Sequence, residues 1–123
     1  VDVEVARTVA PLRAEAEARA TSPTAAAYAA INTVRKRAGL PDLTPGLSKE
    51  AFIEAVLQER SWELCYEADR WYDLTRTGKF KMVANVLNSY YPSRPVQDKH
   101  RFFPIPNIEI LTNSKLEQNP AWK

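Results

Sequence analysis

Apolar residues recur three and four positions apart in three stretches of the chain, the period of a helix with one buried face. In the first, Val3 to Ala20, the repeating positions are Val5, Val9, Leu12 and Ala16. Pro11 interrupts this stretch, removing a backbone donor and crowding the preceding turn. The expectation is a kink or restart there, with the clear helix over 12–20. In the second stretch Ser22 suits an N-cap and Pro23 the first helical position, so a helix is predicted over 23–38. Tyr28, Ile31, Val34 and Ala38 give its apolar face, Gly39 fits a left-handed C-terminal cap, and Pro41 prevents continuation. The third stretch has Ser48 as N-cap and predicts the longest helix, over 48–68, with Phe52, Val56, Leu57, Leu64 and Ala68 on its buried side.

Beyond it, Arg70 to Gly78 closes that helix or forms a short second one, and Lys79 to Ser89 reads as another short helix. Pro92, Pro95, Pro104 and Pro106 then break regular structure, and Pro106 is expected to start a single turn through Ile110. Phe102, Phe103 and Ile105 read as an extended apolar strip laid over the helices. The predicted fold is therefore all-α. A helical hairpin of the tetratricopeptide kind is joined to one long helix, and an irregular proline-rich C-terminal segment packs on it, in a single domain over 1–123.

Composition narrows the function classes. A chain of 123 residues with 45% hydrophobic content and 26% charge has room for one modest core. The net charge is only +2, and its densest basic run, Arg35-Lys36-Arg37, fans around a helix axis and makes a poor phosphate-binding stripe. Nucleic acid is not an expected partner. Cys65 is the single cysteine and His100 the single histidine, so neither a disulfide nor a cysteine- or histidine-based metal site is expected. A lone thiol in a helical pattern reads as a small core residue. No apolar run is long enough to span a membrane. The chain opens at Val1-Asp2-Val3 without Met and in mid-pattern, which reads as a fragment.

The candidate chemistry lies between residues 59 and 73. Glu59, Glu63 and Glu67 invite an acid–base reading, because paired carboxylates cleave glycosides. Spaced four apart on one helix, they line up along a single ridge instead of facing each other across a cleft. Arg60 and Arg70 are near enough in sequence to neutralise them. The expectation is a structural network with no catalytic residue: Arg60, Glu63, Arg70, Trp71 and Asp73 forming a lock between the long helix and the segments after it, with Glu59 on the same ridge. Trp62, Trp71, Trp122, Tyr66 and Tyr72 offer rings that could stack on sugars, or could simply pack helices together. Trp62, flanked by Ser61 and Glu63, falls toward the exposed side, and its spacing from Tyr66 would let the two stack.

The same region carries a resemblance. Glu59 to Gly78, reading E-R-S-W-E-L-C-Y-E-A-D-R-W-Y-D-L-T-R-T-G, resembles the signature of the SusD/RagB family. Ile31 to Leu40 is similar to that family's N-x-V-R-x-R-A-G-L segment, and Leu12 to Ala16 to its R-A-E-A helix. Phe103-Pro104-Ile105-Pro106 with Glu109-Ile110 resembles its P-I-P-x-x-E-I stretch, and Glu117 to Pro120 its near-terminal Q-N-P. Ser61 stands where a second arginine is common, Ala68 where glycine is common, and Pro11 where the family helix continues without proline.

The resemblance implies the C-terminal portion of a longer helical protein: a non-catalytic, surface-exposed outer-membrane lipoprotein that binds glycans or other nutrients. It would work with a SusC-like TonB-dependent transporter, held to the membrane by an N-terminal lipid outside this chain, with no cofactor. It carries no ligand-binding residue onto a position of this sequence. The competing readings are a tetratricopeptide-like interaction scaffold and a glycosidase using Glu59 or Glu63.

Overall fold

The computed structural model describes residues 3–123, with side chains from Ala6 onward. Six α-helices follow in order: α1 (Val3–Ala20), α2 (Ala25–Arg37), α3 (Lys49–Glu63), α4 (Asp69–Arg76), α5 (Phe80–Tyr90) and α6 (Asn107–Thr112). Single 3₁₀ turns occur at Asp98–Arg101 and Pro120–Trp122, and no strand occurs among the described residues. The all-α expectation holds. The chain divides into two compact units, one ending at Asp73 and the other spanning Leu74–Lys123.

In the first unit α1 packs on both α2 and α3. Its course differs from expectation: it runs through Pro11 as one helix. The missing N–H costs one backbone bond, but the proline ring is fully buried and returns apolar contact. The buried face also differs. Ala14 and Ala18 are fully buried, whereas Val9 and Leu12 are 51% and 45% exposed and Ala16 is exposed. Small side chains win the inner face because they let helix backbones approach closely. The core joins Ala14 and Ala18 to Ala27 and Ile31 of α2 and to Phe52 and Val56 of α3. The Tyr28 ring packs edge-on against Phe52 with centroids 4.7 Å apart.

The cap of α2 is Thr24, not Ser22. Thr24 Oγ1 accepts from Ala27 N at 3.1 Å and donates to Glu17 Oε2 at 2.9 Å, tying the start of α2 to α1. That second bond is available to Thr24 and shifts the start two residues past Pro23. The far end is as expected. Gly39 has φ +72°, its N–H reaches Lys36 O at 3.1 Å, and Leu40 N reaches Arg35 O at 2.8 Å, the paired bonds of a Schellman cap. The loop to α3 is pinned by side chains of α2. Asn32 Oδ1 accepts from Leu43 N at 2.8 Å, and Tyr28 Oη accepts from Leu47 N at 3.0 Å.

Ser48 caps α3 as predicted, its Oγ accepting from Ala51 N at 3.2 Å. The helix stops at Glu63, earlier than the predicted 68. Tyr66 and Ala68 then adopt left-handed backbone, φ 71° and 67°. Each such non-glycine residue costs roughly 1–2 kcal/mol. Buried Leu64 before them and the polar anchors described below hold the break open. Ala68 and Cys65 are exposed, so neither is the core residue the pattern suggested.

In the second unit, Gly78 (φ 73°) lies beyond the end of α4, where Lys79 N reaches Leu74 O at 2.9 Å in another Schellman-type cap. Phe80 and Ala84 of α5 are buried. The proline-rich segment gains hydrogen bonds from amide side chains in place of a neighbouring strand. Asn88 accepts from Val96 N at 2.5 Å and donates to Val96 O at 3.1 Å. Gln118 accepts from Ile105 N at 3.0 Å and donates to Ile105 O at 2.9 Å. Trp122 Nε1 donates to Phe102 O at 2.9 Å. Phe102 and Phe103 are themselves exposed, not the covered strip expected of them, while the backbone on either side of them is held by the hydrogen bonds from Gln118 and Trp122.

Candidate functional site

The charged residues singled out in the sequence come together in the first unit, but with partners other than those their spacing suggests. Arg60 Nε donates to Asp73 Oδ2 at 3.0 Å, bridging α3 and α4. Both groups are buried, at 5% and 3% exposure. Arg60 Nη1 also approaches Thr8 O of α1 at 3.5 Å. Arg70 Nη1 donates to Leu57 O at 3.1 Å, so α4 is tied back onto α3 at a second point. Glu59, 3% exposed, accepts from Arg35 Nη1 at 2.5 Å, and Arg35 Nε donates to Pro41 O at 2.8 Å. Glu63 pairs with Arg37 and lies 3.8 Å from Arg7 Nε, while Glu67 pairs with Arg7.

The expected ridge of intrahelical pairs running from Arg60 and Glu63 to Glu67 and Arg70 is therefore not what forms. Because α3 ends at Glu63, Glu67 and Arg70 leave its surface. The carboxylates of α3 face arginines delivered by α1 and α2. This gives the basic run its use: Arg35 serves Glu59, Arg37 serves Glu63, and Lys36 pairs with Asp42 at 3.3 Å. Sequence spacing within one helix could not reveal the partners of Glu59 and Glu63, which lie 24 and 26 residues away. Trp71 is only half-buried, an intermediate case between the core and surface alternatives. Trp62 is 61% exposed, and Tyr66 is fully exposed on the left-handed link, past the end of α3.

The chemical capacity of this arrangement follows from its pairing. Glycoside cleavage by a carboxyl pair needs two carboxyls open to substrate and flanking the scissile bond. Glu59 and Glu63 instead stand on one helix, each engaged by an arginine from α2. Among the described residues no cluster of three or more metal-ligating side chains occurs, and no helix is long and apolar enough to cross a membrane. His100 Nδ1 accepts from Gln97 N at 2.7 Å, and its ring packs edge-on to Trp122 with centroids 5.3 Å apart.

A shallow groove of about 660 Å³, which sequence reasoning did not single out, runs between α2 and the following loop. Its lining includes Tyr28, Asn32, Thr33, Lys36 and Asp42. Tyr28 and Asn32 already hold loop amides, and Lys36 and Asp42 pair with each other, so its polar atoms serve the fold.

Comparison with known proteins places this architecture. The family model described as "SusD family" matches residues 12–122. The chain belongs to the SusD family. It is 35% identical over 115 residues to SusD-like protein P25 of Formosa agariphila, covering 89% of this chain and 22% of that protein. Against SusD-like protein P38 of the same organism it is 31% identical over 116 residues, covering 88% and 22%. The crystal structure of a SusD homolog from Bacteroides thetaiotaomicron superposes with a TM-score of 0.79 at 35% identity, over 94% of this chain and 26% of that one.

The chain thus spans about a fifth of the length of the curated relatives it matches. In this SusD-family segment the quoted motifs have visible structural work. R-A-G-L ends α2, R-T-G ends α4, the asparagine ahead of the arginines pins the loop, and the glutamine of Q-N-P clamps the isoleucine of P-I-P.

Proposed function

We propose that this chain is part of a non-catalytic nutrient-binding protein of the bacterial outer membrane, one that captures glycans or related nutrients for a SusC-like TonB-dependent transporter. The observation that carries this reading is the family match over residues 12–122, with the motifs of the chain in the family's order. The role of this segment is to form a helical platform. The arginine–carboxylate network fixes α1, α2, α3 and the start of α4 as one unit, and ligand selection belongs to surfaces elsewhere in the whole protein. Membrane attachment is through an N-terminal lipid outside these residues.

A non-enzymatic role is supported by the way Glu59 and Glu63 are occupied by Arg35 and Arg37. Glycan-array binding by the full-length protein tests the reading, together with co-purification of a TonB-dependent transporter from outer membranes. Saturable binding to one glycan class, with the transporter in the same complex, is the expected result. Glycan turnover that disappears in Glu59→Gln or Glu63→Gln with the fold intact would overturn the non-catalytic assignment.

A further inference from the structure

The loop after α5 folds back on the end of that helix and leaves a cleft of about 430 Å³, lined by Leu87, Tyr91, Ser93, Arg94 and Val96. Short hydrogen-bonded links fix its walls. Tyr91 N donates to Leu87 O at 2.8 Å, and Arg94 N donates to Tyr91 O at 3.1 Å, closing a turn with Pro92 at its second position. The Asn88 amide then clamps both backbone groups of Val96. Pro92 and Pro95 restrict the backbone between these anchors. The cleft is thus formed before anything enters it, which lowers the ordering cost of binding.

Its polar groups differ from those of the groove on α2 in one respect: the fold does not use them. The Tyr91 hydroxyl, the Ser93 hydroxyl and the Arg94 guanidinium have no hydrogen bond or ion pair among the described residues. Every other arginine with a described side chain has an interaction of its own. The chemistry of the lining defines a ligand. Leu87 and Val96 are apolar, and Tyr91, 65% exposed, offers a ring face. Ser93 can both donate and accept, and the planar fork of Arg94 matches a carboxylate. The volume lies at the lower end of the roughly 300–1,000 Å³ of small-ligand sites, room for a single ring.

We propose that this cleft is an accessory site for a carboxylate-bearing sugar, a hexuronate unit of an acidic glycan. The carboxylate sits on Arg94, a C–H face of the ring on Tyr91, and a ring hydroxyl on Ser93. The site belongs to the second unit and is additional to the surfaces that select ligand elsewhere in the whole protein. The choice of a sugar over another carboxylate-bearing ring rests on the nutrient-capture reading above.

Calorimetric titration of the full-length protein with galacturonate, galactose and benzoate tests this. Galacturonate should bind saturably, with galactose and benzoate at least about 10-fold weaker, the scale of one hydrogen bond to a charged group. Arg94→Gln should weaken galacturonate at least about 10-fold and leave galactose unchanged, with a circular dichroism melt establishing that the variant folds. Galacturonate binding undiminished in Arg94→Gln would overturn the proposal, and so would galactose or benzoate binding as tightly as galacturonate. Absence of galacturonate binding would also overturn it, leaving Arg94 a surface cation that complements the negative end of α5. A glycan array on the same preparation separates the two readings: neutral glycans bound without galacturonate would sink this site and leave nutrient capture standing.

Discussion

Removing the carboxylate of Asp73 should be among the most damaging single changes in the first unit. The Arg60–Asp73 pair lies at 3.0 Å with both residues about as buried as the apolar core, 5% and 3% exposed. Taking two ions out of water is costly, so an intact buried pair adds little net stability, but breaking it leaves one charge buried without its counter-ion, which typically costs about 3–5 kcal/mol. The Thr8 carbonyl, 3.5 Å from Arg60 Nη1, is too long a contact to replace a carboxylate. Asp73→Ala should therefore lose about 3–5 kcal/mol, a large part of the roughly 5–15 kcal/mol that holds a typical domain together. By contrast Lys36→Ala, which breaks a pair 68% and 49% exposed, should cost about 0–1 kcal/mol.

Urea denaturation of the full-length protein reads the difference as a fall in midpoint. Multiplied by the slope measured for the wild type, the shift should return a loss of about 3–5 kcal/mol. The double replacement Arg60→Met with Asp73→Leu removes both charges and should recover most of the loss. If Asp73→Ala stays within about 1 kcal/mol of wild type, or if the double variant is no better than the single, the buried-pair reasoning is wrong.

Three further outcomes follow from the geometry. Trp71→Ala should cost about 1–3 kcal/mol, between the roughly 3–5 of a core truncation and the 0.5 of a surface change, because the side chain is half-buried; a thermal melt indistinguishable from wild type would place it at the surface. Ala68→Gly should stabilise by about 0.5–1 kcal/mol, since φ 67° strains alanine by more than glycine loses in unfolded-chain entropy and the exposed methyl gives up little packing; a lowered melting temperature would contradict this. The Arg13 and Thr24 side chains hold the Glu17 carboxyl below the usual glutamate range. A depressed folded-state pKa contributes stability that is present above the unfolded value, near 4.3, and is lost as pH falls through the folded one. An NMR titration of Glu17 should therefore give a midpoint below about 4.3, and a midpoint at or above it would remove the tie to Thr24 as the cause.

Much of the local structure was legible in the chain itself. Ser48 before an apolar repeat, Gly39 after one, and prolines from residue 92 onward are signals that act over three or four neighbours, and the structure follows them at those places. The family motifs are equally local as text. What they bind to is not. Nothing within a few residues of Glu59 or Glu63 announces Arg35 and Arg37, and nothing near Ile105 announces Gln118.

The same division explains the misplacements. Pro11 disfavours a helix locally, yet α1 continues through it with the ring fully buried. Hydrophobicity alone assigned Val9 and Leu12 to the core, but close approach of helices selects small residues, so alanines took the inner face and left the larger side chains outward. α3 ends at Glu63 because Arg7, Arg60 and Arg70 secure the link and the start of α4, an arrangement that holds two left-handed residues no local propensity would choose. Caps, turns and periodicity are set by short-range sterics and so can be read from sequence. The face that packs and the ion that pairs are chosen by which distant segments fold together, and only the tertiary structure contains that information.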